Sequence, residues 1–371
     1  MGRRIVYIVS GIENAVAFEW IAASLKVKGY DLCFLLLNHK KTDLEQNLNS
    51  EGIKCKRIYL SGKVTLPLAV IQILYQLIKF RPSIVHCHLF EAGLAGGISA
   101  WLLRIKKRIY TRHHSDFHHV YFPNAVKYDK WINFFSTHVI AISKVVKDIL
   151  IQRESVSENK VFLIHHGFKF SDFDYIDESR IDLLRRNYNP SGRYPVVGVI
   201  SRFTRWKGVV YIIEAFKKML IEFPNALLIL ANAKGEQIQE IKIKLAELPK
   251  GSFELIEFEK DNFSLYRLFD LFTHVPIAPE AEAFGQVYIE AMISKVPCVF
   301  TLSGIATEIV KSIENAMVVG YENEDEIYNA WIQLLTDQQL RNQIISAAEN
   351  TVRKKFDFEC MMQKLEELYN L

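Results

Sequence analysis

The sequence predicts an α/β protein built from two parallel-sheet units in series. Three observations carry this expectation. The chain has 371 residues, roughly two to three times a typical domain, so two separate cores are expected. Short β-rich runs alternate with longer amphipathic stretches through the first half, the pattern of strands covered by helices. The same alternation starts again after a polar stretch that bears Pro and Gly.

The first strand falls at residues 5–9. A basic start and an apolar run there could pass for a signal peptide, but the run is short and Glu13 and Glu19 follow where a cleavage region belongs, so it is assigned to a buried strand. Further strand signals lie at residues 32–37, 84–87, 108–111, 139–142 and 161–164, with helices at residues 15–28, 43–51 and 66–80. Residues 64–78 form the longest uncharged apolar run. They fall short of the ~20 residues that span a bilayer, so no transmembrane helix is expected. Residues 171–193, including Asn187-Tyr188-Asn189-Pro190-Ser191-Gly192, suggest a linker with one short helix. Strands resume at residues 196–200, 226–230, 253–256, 271–275, 298–301 and 316–319, and a helix closes the chain. The expected domains are residues 1–175 and 176–355, followed by a terminal helix at residues 356–371.

Half of the residues are hydrophobic and 24% are charged, which excludes disordered and fibrous classes. The five cysteines are widely spaced and include no C-x-x-C pair. They suggest neither a disulfide framework nor a zinc site, and a reducing cytoplasm suits them. The formal charge of +4 hides an asymmetry, because residues 1–175 carry a balance of +10 and residues 176–371 one of −6. A basic half suits an anionic membrane or a phosphate-bearing acceptor, and equally an ordinary difference between two domain surfaces. Nucleic acid is not an expected partner.

The most informative stretch is Glu282-Ala283-Phe284-Gly285-Gln286-Val287-Tyr288-Ile289-Glu290. Gly285 sits where a strand-to-loop segment gives way to a helix, so free N–H groups and the positive helix end face the space above it. Glu282 precedes the turn and Glu290 lies ~7.5 Å along the helix from Gly285. The two acids bracket a place for a phosphate flanked by hydroxyls. Upstream, Ser201-Arg202-Phe203-Thr204-Arg205-Trp206-Lys207-Gly208 leads from a strand into a helix with a cation at each end. There a cation and backbone amides can act on one phosphate.

The Glu282 to Glu290 stretch resembles the E-x7-E signature of retaining glycosyltransferases of the GT-B fold, family 4. Arg202 and Lys207 with Gly208 resemble that family's R-x4-K-G diphosphate-binding pair. The resemblance covers almost the whole chain and implies two Rossmann-like domains facing a cleft, with the terminal helix at residues 356–371 crossing back to the first domain. The second would bind a nucleotide sugar, UDP- or GDP-linked, and the first an acceptor hydroxyl. It implies that Arg202 and Lys207 hold the diphosphate and stabilise its charge as it leaves, that Glu290 accepts from ribose hydroxyls, and that Glu282 accepts from the transferred sugar. The backbone at Phe284, Gly285, Gln286 and Val287 would line the phosphates. Gly11 keeps one of the two glycines the family places beside donor phosphates and acceptor, and a tight turn accounts for it equally. Ser303-Gly304-Ile305-Ala306-Thr307-Glu308-Ile309 resembles the family's G-G-x-x-E-I turn, with Ser303 in place of a glycine, so residues 301–304 would border the sugar or the phosphates.

Thr111-Arg112-His113 resembles the family's T-x-H element, whose histidine faces the transferred sugar from the opposite lobe. His113 is the candidate and His114 its alternative, while His118 and His119 are assigned structural roles. Crowded histidines at residues 113–119 match no standard metal site. His86 and His88 share one side of a strand and suit a cleft wall or the core. His165-His166-Gly167 stands where the family has a Pro-Asn-Gly turn. Asp172-Phe173-Asp174 lies in the linker and is assigned no metal.

No cofactor and no divalent metal are expected, since two cations and a helix end can neutralise a leaving diphosphate. The expected enzyme is a retaining glycosyltransferase with His113, Arg202, Lys207 and Glu282 as catalytic residues. It would act in the cytoplasm or peripherally on the inner membrane face, on a glycan or lipid-linked acceptor, in surface polysaccharide or lipopolysaccharide synthesis. A nucleotide-sugar epimerase of the same architecture and a non-catalytic nucleotide-sugar-binding subunit are the alternatives.

Overall fold

The structure, a computed structural model, describes residues 3–175 and 177–371. Met1 and Gly2 of the basic amino-terminal stretch, and Ile176 at the expected domain boundary, lie outside the described residues. The chain forms two compact units, Met1–Phe168 with Phe358–Leu371, and Lys169–Asp357.

The first unit holds strands β1 (Arg4–Ser10), β2 (Asp31–Asn38), β3 (Lys54–Tyr59), β4 (Ile84–His88), β5 (Lys107–Arg112), β6 (His138–Ala141) and β7 (Val161–Leu163). They pair in the order β3-β2-β1-β4-β5-β6-β7, every pair parallel. β1, β2 and β4 are buried along nearly their whole length, as a sheet covered on both faces requires. β3 was not among the expected strands. Its sequence, Lys-Cys-Lys-Arg-Ile-Tyr, buries only Ile58, because an edge strand needs no apolar run.

The helix Leu66–Phe80 buries Ala69, Ile73 and Leu77 and exposes Leu68, Ile71, Tyr75 and Ile78. With its preceding turn it forms a helical run, Lys63–Phe80, of 18 residues. That run is long and apolar enough to cross a membrane by length and composition alone, but its Ala69, Ile73 and Leu77 are buried in the first unit, where it packs as a helix covering the sheet. The carboxyl-terminal helix Phe358–Asn370 belongs to the first unit. Its Phe358, Met362, Leu365, Leu368 and Tyr369 join Ile5, Tyr7 and Val9 in one core, and the Tyr369 hydroxyl bonds Tyr7 and, at 2.7 Å, His86 Nδ1.

The second unit holds β8 (Val196–Ile200), β9 (Leu227–Ala231), β10 (Phe253–Ile256), β11 (Leu271–His274), β12 (Cys298–Phe300) and β13 (Met317–Val318). Their order is β10-β9-β8-β11-β12-β13, again all parallel. The expected linker proves to be part of this unit. Its helix Glu178–Tyr188 buries Ile181 and Leu184, and Arg180 pairs with Glu259 at 2.6 Å. In the short helix Ser171–Asp174, Phe173 packs on Phe263 with ring centroids 4.0 Å apart, while Asp174 pairs with Arg353. These contacts draw residues 169–175 away from the first domain, so the chain changes unit at Phe168/Lys169 and Asp357/Phe358 instead of at 175/176 and 355/356.

In both sheets the strand order reverses beside the first strand, between β1 and β4 and between β8 and β11. Open α/β sheets bind ligands at the carboxyl ends of strands flanking such a reversal.

Candidate active site

In the second unit the loops leaving β8, β11 and β12, three neighbouring strands, meet above the strand-order reversal. The loop after β8 is pinned by Phe203, which is fully buried, and turns into the helix Val209–Glu222 through Gly208 at φ +68°. A Cβ at Gly208 would lie 2.1 Å from the Val275 carbonyl oxygen. The glycine of the R-x4-K-G stretch therefore lets the β8 loop sit directly against the chain leaving β11. Arg202 is exposed, and its guanidinium makes no ion pair or hydrogen bond among the described residues. Lys207 points inward and pairs with Glu282.

Glu282 is nearly buried. Its Oε1 takes both the Lys207 ammonium and, at 2.9 Å, His274 Nε2; its backbone N–H donates to Ser303 Oγ at 3.0 Å. Burial pushes its carboxyl up, but the Lys207 charge and the His274 bond outweigh that and bring it down to about 2. The group is an anion at every physiological pH. His274, at the end of β11, is pushed below the usual imidazole value by burial, against the pull of Glu282. Oε2 of Glu282 has no hydrogen bond among the described residues.

Gly285, at φ +83°, turns the chain into the helix Gln286–Ile293. There a Cβ would meet the Tyr288 ring at 2.7 Å. The Phe284 side chain packs into the core, edge-on to Phe356 at 5.8 Å, so only its backbone is left for a ligand. The first N–H groups of this helix have no acceptor within the helix. Glu290, in the same helix, accepts from Tyr266 Oη at 3.1 Å through Oε2. Burial raises it to about 6, with Tyr266 pulling the other way. The two acids of the E-x7-E stretch thus differ in kind: one is held charged by a cation, and the other titrates near neutrality.

Thr301 and Gly304 shape the loop from within. Thr301 is fully buried and donates to the Pro276 carbonyl at 2.6 Å, and Gly304 N–H donates to Pro279 at 2.9 Å. Ser303 Oγ accepts from the Glu282 backbone, and Gly304 packs so closely on Glu282 that a Cβ there would lie 2.7 Å from the Glu282 Cβ.

In the first unit His113 follows β5. Its Nε2 lies 3.1 Å from His88 Nδ1, and its ring stacks on His166 with centroids 5.6 Å apart. Burial, then the neighbouring His166, His86 and His114, hold it well below the usual imidazole value, so it is neutral at pH 7. His86 serves the core. Its two nitrogens bond Tyr369 Oη and, at 2.8 Å, Thr111 Oγ1. Gly11 leaves β1 at φ +64° and donates to Leu37 at 3.1 Å. It lines a cavity of about 580 Å³ at the carboxyl ends of β1 to β4, together with Ser10, Asn38, Lys40, Lys63 and Tyr128.

The structure brings Lys207, Glu282 and Gly285 together, places Glu290 on the same helix as Gly285, and leaves Arg202 at the mouth of the loop. Sequence reasoning missed His274 and Tyr266. A histidine ending a fully buried strand, eight residues before an acid, was the available signal for His274. Tyr266 had none, being 24 residues from Glu290 at the end of the short helix Asn262–Tyr266.

Residues 181–351 match the family described as Glycosyl transferases group 1, and residues 19–171 match Glycosyltransferase Family 4. The Capsular polysaccharide biosynthesis glycosyltransferase CapM of Staphylococcus aureus is 27% identical over 305 residues, 79% of this chain and 77% of that protein. The crystal structure of Anabaena Alr3699/HepE in complex with UDP-glucose superposes with a TM-score of 0.84 at 22% identity, covering 99% of this chain and 100% of that one. A mutant of S. aureus TarM, in complex with Fondaparinux, alpha-GlcNAc-glycerol and UDP, has a TM-score of 0.64 at 18% identity over 82% of this chain and 59% of that one. With the two parallel Rossmann-like sheets, these matches place the chain among the group 1 glycosyltransferases of the GT-B fold, a nucleotide-sugar-dependent transferase.

Proposed function

We propose that this enzyme moves a sugar from a UDP- or GDP-linked donor to an acceptor hydroxyl with retention of anomeric configuration, in bacterial surface polysaccharide synthesis. One observation carries the donor side. Above the β8/β11 reversal stand a cation, an ionised acid and a helix start, and each acid of the pair keeps one oxygen without a hydrogen bond among the described residues. Ribose hydroxyls suit Glu290, and a sugar hydroxyl suits Oε2 of Glu282. Arg202 and Lys207 supply charge to the diphosphate as the sugar–phosphate bond breaks, together with the N–H groups at Gln286 and Val287. A phosphate oxygen of the leaving group takes the acceptor proton on the same face while the new glycosidic bond forms. No divalent metal is needed for this step. His113 is assigned to the transferred sugar on its T-x-H resemblance. Being neutral, it offers a hydrogen bond and no charge.

The acceptor is assigned to the first unit, where the cavity beside Gly11 joins apolar walls to Lys40 and Lys63. A lipid-linked glycan suits that mixture. The exposed apolar stripe Leu68, Ile71, Tyr75 and Ile78, flanked by Lys63, Lys79 and Arg81, supports peripheral attachment to an anionic membrane. The name of the CapM relative supports surface polysaccharide over other glycan products.

The test is a panel of UDP- and GDP-sugars, read by protection against heat and by products formed with and without added acceptor. Donor-dependent transfer supports the proposal. Isomerisation of the donor alone would make the chain an epimerase, and binding without turnover would make it a non-catalytic subunit.

A further inference from the structure

The histidine segment after β5 contains more than the donor chemistry uses. His114 and His118 both turn to Asp129, on the helix Val126–Phe135. Asp129 is fully buried; its Oδ1 lies 3.3 Å from His114 Nε2 and its Oδ2 2.7 Å from His118 Nδ1. The three ligand atoms lie within 4.8 Å of one another. Ligands at ~2.0 Å from a tetrahedral zinc ion are themselves ~3.3 Å apart.

Two further observations point to a cation. Both ring nitrogens of His114 and Oδ1 of Asp129 are sealed from solvent yet make no hydrogen bond, an arrangement that buried polar atoms rarely keep. The local charge is also unbalanced. Arg112 comes within 3.3 Å of Asp129 Oδ1, but it is already matched by Glu154, whose two oxygens take Nη1 at 3.3 Å and Nη2 at 2.7 Å. Its Nε donates to the His114 carbonyl at 3.0 Å. Asp129 therefore faces the imidazoles of His114 and His118 and a guanidinium that it shares with Glu154. Two imidazoles beside a carboxylate form the donor set of a borderline divalent metal.

We propose that His114, His118 and Asp129 bind one Zn²⁺ ion, with water as the fourth ligand. The ion ties the loop that carries His113 to the helix Val126–Phe135. The crowded histidines alone match no standard metal spacing because the third ligand, Asp129, comes from a different helix.

The experiment uses the full chain, stripped of metal and dialysed against micromolar free Zn²⁺, with Co²⁺ as the spectroscopic probe. One zinc per chain, a visible Co²⁺ band of tetrahedral intensity that zinc displaces, and a melting temperature that rises with zinc are the expected results. His118→Ala and Asp129→Asn should each lose zinc affinity by more than the ~10–100-fold that a change behind a ligand costs. His119→Gln, whose hydrogen bond among the described residues is to Glu154, should bind as wild type does. If either ligand variant fails to fold, the cobalt band of the wild type still decides. Wild-type protein that holds no zinc, shows no such band, or binds zinc as tightly after His118→Ala or Asp129→Asn overturns the site. None of these measurements involves donor or acceptor, so the outcome is independent of the proposed transfer reaction.

Discussion

Replacing Glu290 with Gln should make the nucleotide-free protein more stable and its grip on nucleotide weaker. Burial lifts this carboxyl from 4.5 to about 6. The folded-state value lies above the unfolded one, so the folded state binds the proton more tightly. The corresponding stability is complete at low pH and is lost as pH rises from about 4.5 through about 6. One pKa unit is ~1.36 kcal/mol, so the ionised form costs the folded protein about 2 kcal/mol at neutral pH. Gln keeps an oxygen for the Tyr266 hydroxyl and never ionises. Urea unfolding followed by circular dichroism should therefore show the variant ahead by about 2 kcal/mol near pH 7.5 and level with wild type near pH 4; every other titrating group cancels in the difference. Calorimetric titration with UDP and GDP should show the opposite sense. Losing hydrogen bonds to a charged group costs ~1.5–3 kcal/mol, roughly 10- to 150-fold in affinity, and wild-type affinity should itself decline below about pH 6. A variant no more stable than wild type at pH 7.5, or one that loses stability and affinity together, would refute the view of Glu290 as a strained ligand-binding acid.

Lys207→Ala and Arg202→Ala should each slow transfer by roughly 10²–10³-fold. Only the first should also lower the melting temperature, because it leaves Glu282 with His274 alone; equal rates to wild type in both would remove the diphosphate assignment. Gly208→Ala should destabilise the second unit by at least ~1–3 kcal/mol, measured by urea unfolding, since its Cβ would collide with the Val275 carbonyl. Adding Mg²⁺ or Mn²⁺ to chelator-treated enzyme should leave the transfer rate unchanged, and His113→Ala should lower that rate while leaving UDP affinity near wild type. Anionic vesicles should sediment the protein at low salt. Rising salt should remove the part due to Lys63, Lys79 and Arg81 and leave a remainder due to Ile71, Tyr75 and Ile78; equal sedimentation with neutral vesicles at low salt would reject any charge contribution.

Strands buried on both faces were legible in the sequence because burial makes them continuous apolar runs, and β8 falls at the expected residues. β3 was hidden by its edge position, which tolerates lysines. A short helix was expected within residues 171–193, but that Glu178–Tyr188 packs as part of the second unit was hidden by a polar surface that buries only two side chains. The acid pair and the R-x4-K stretch could be read because each is local. Their meeting could not, since Lys207 and Glu282 lie 75 residues apart and only the sheet order makes their loops neighbours. The same limit applies to Asp129 and Glu154, whose partners lie in other elements.

The return of the final helix to the first unit has a consequence for the order of synthesis. Tyr369 joins a core that also contains Ile5, Tyr7 and Val9, which are synthesised well before it. Tyr7 and Tyr369 are 362 positions apart. At ~5–20 residues per second, that interval takes on the order of 20–70 seconds to synthesise. Throughout it His86 and Tyr7 lack their last partner, and the nascent amino-terminal half must stay soluble with an open seam. A chain that stops before Phe358 lacks the five side chains, Phe358, Met362, Leu365, Leu368 and Tyr369, that complete this core.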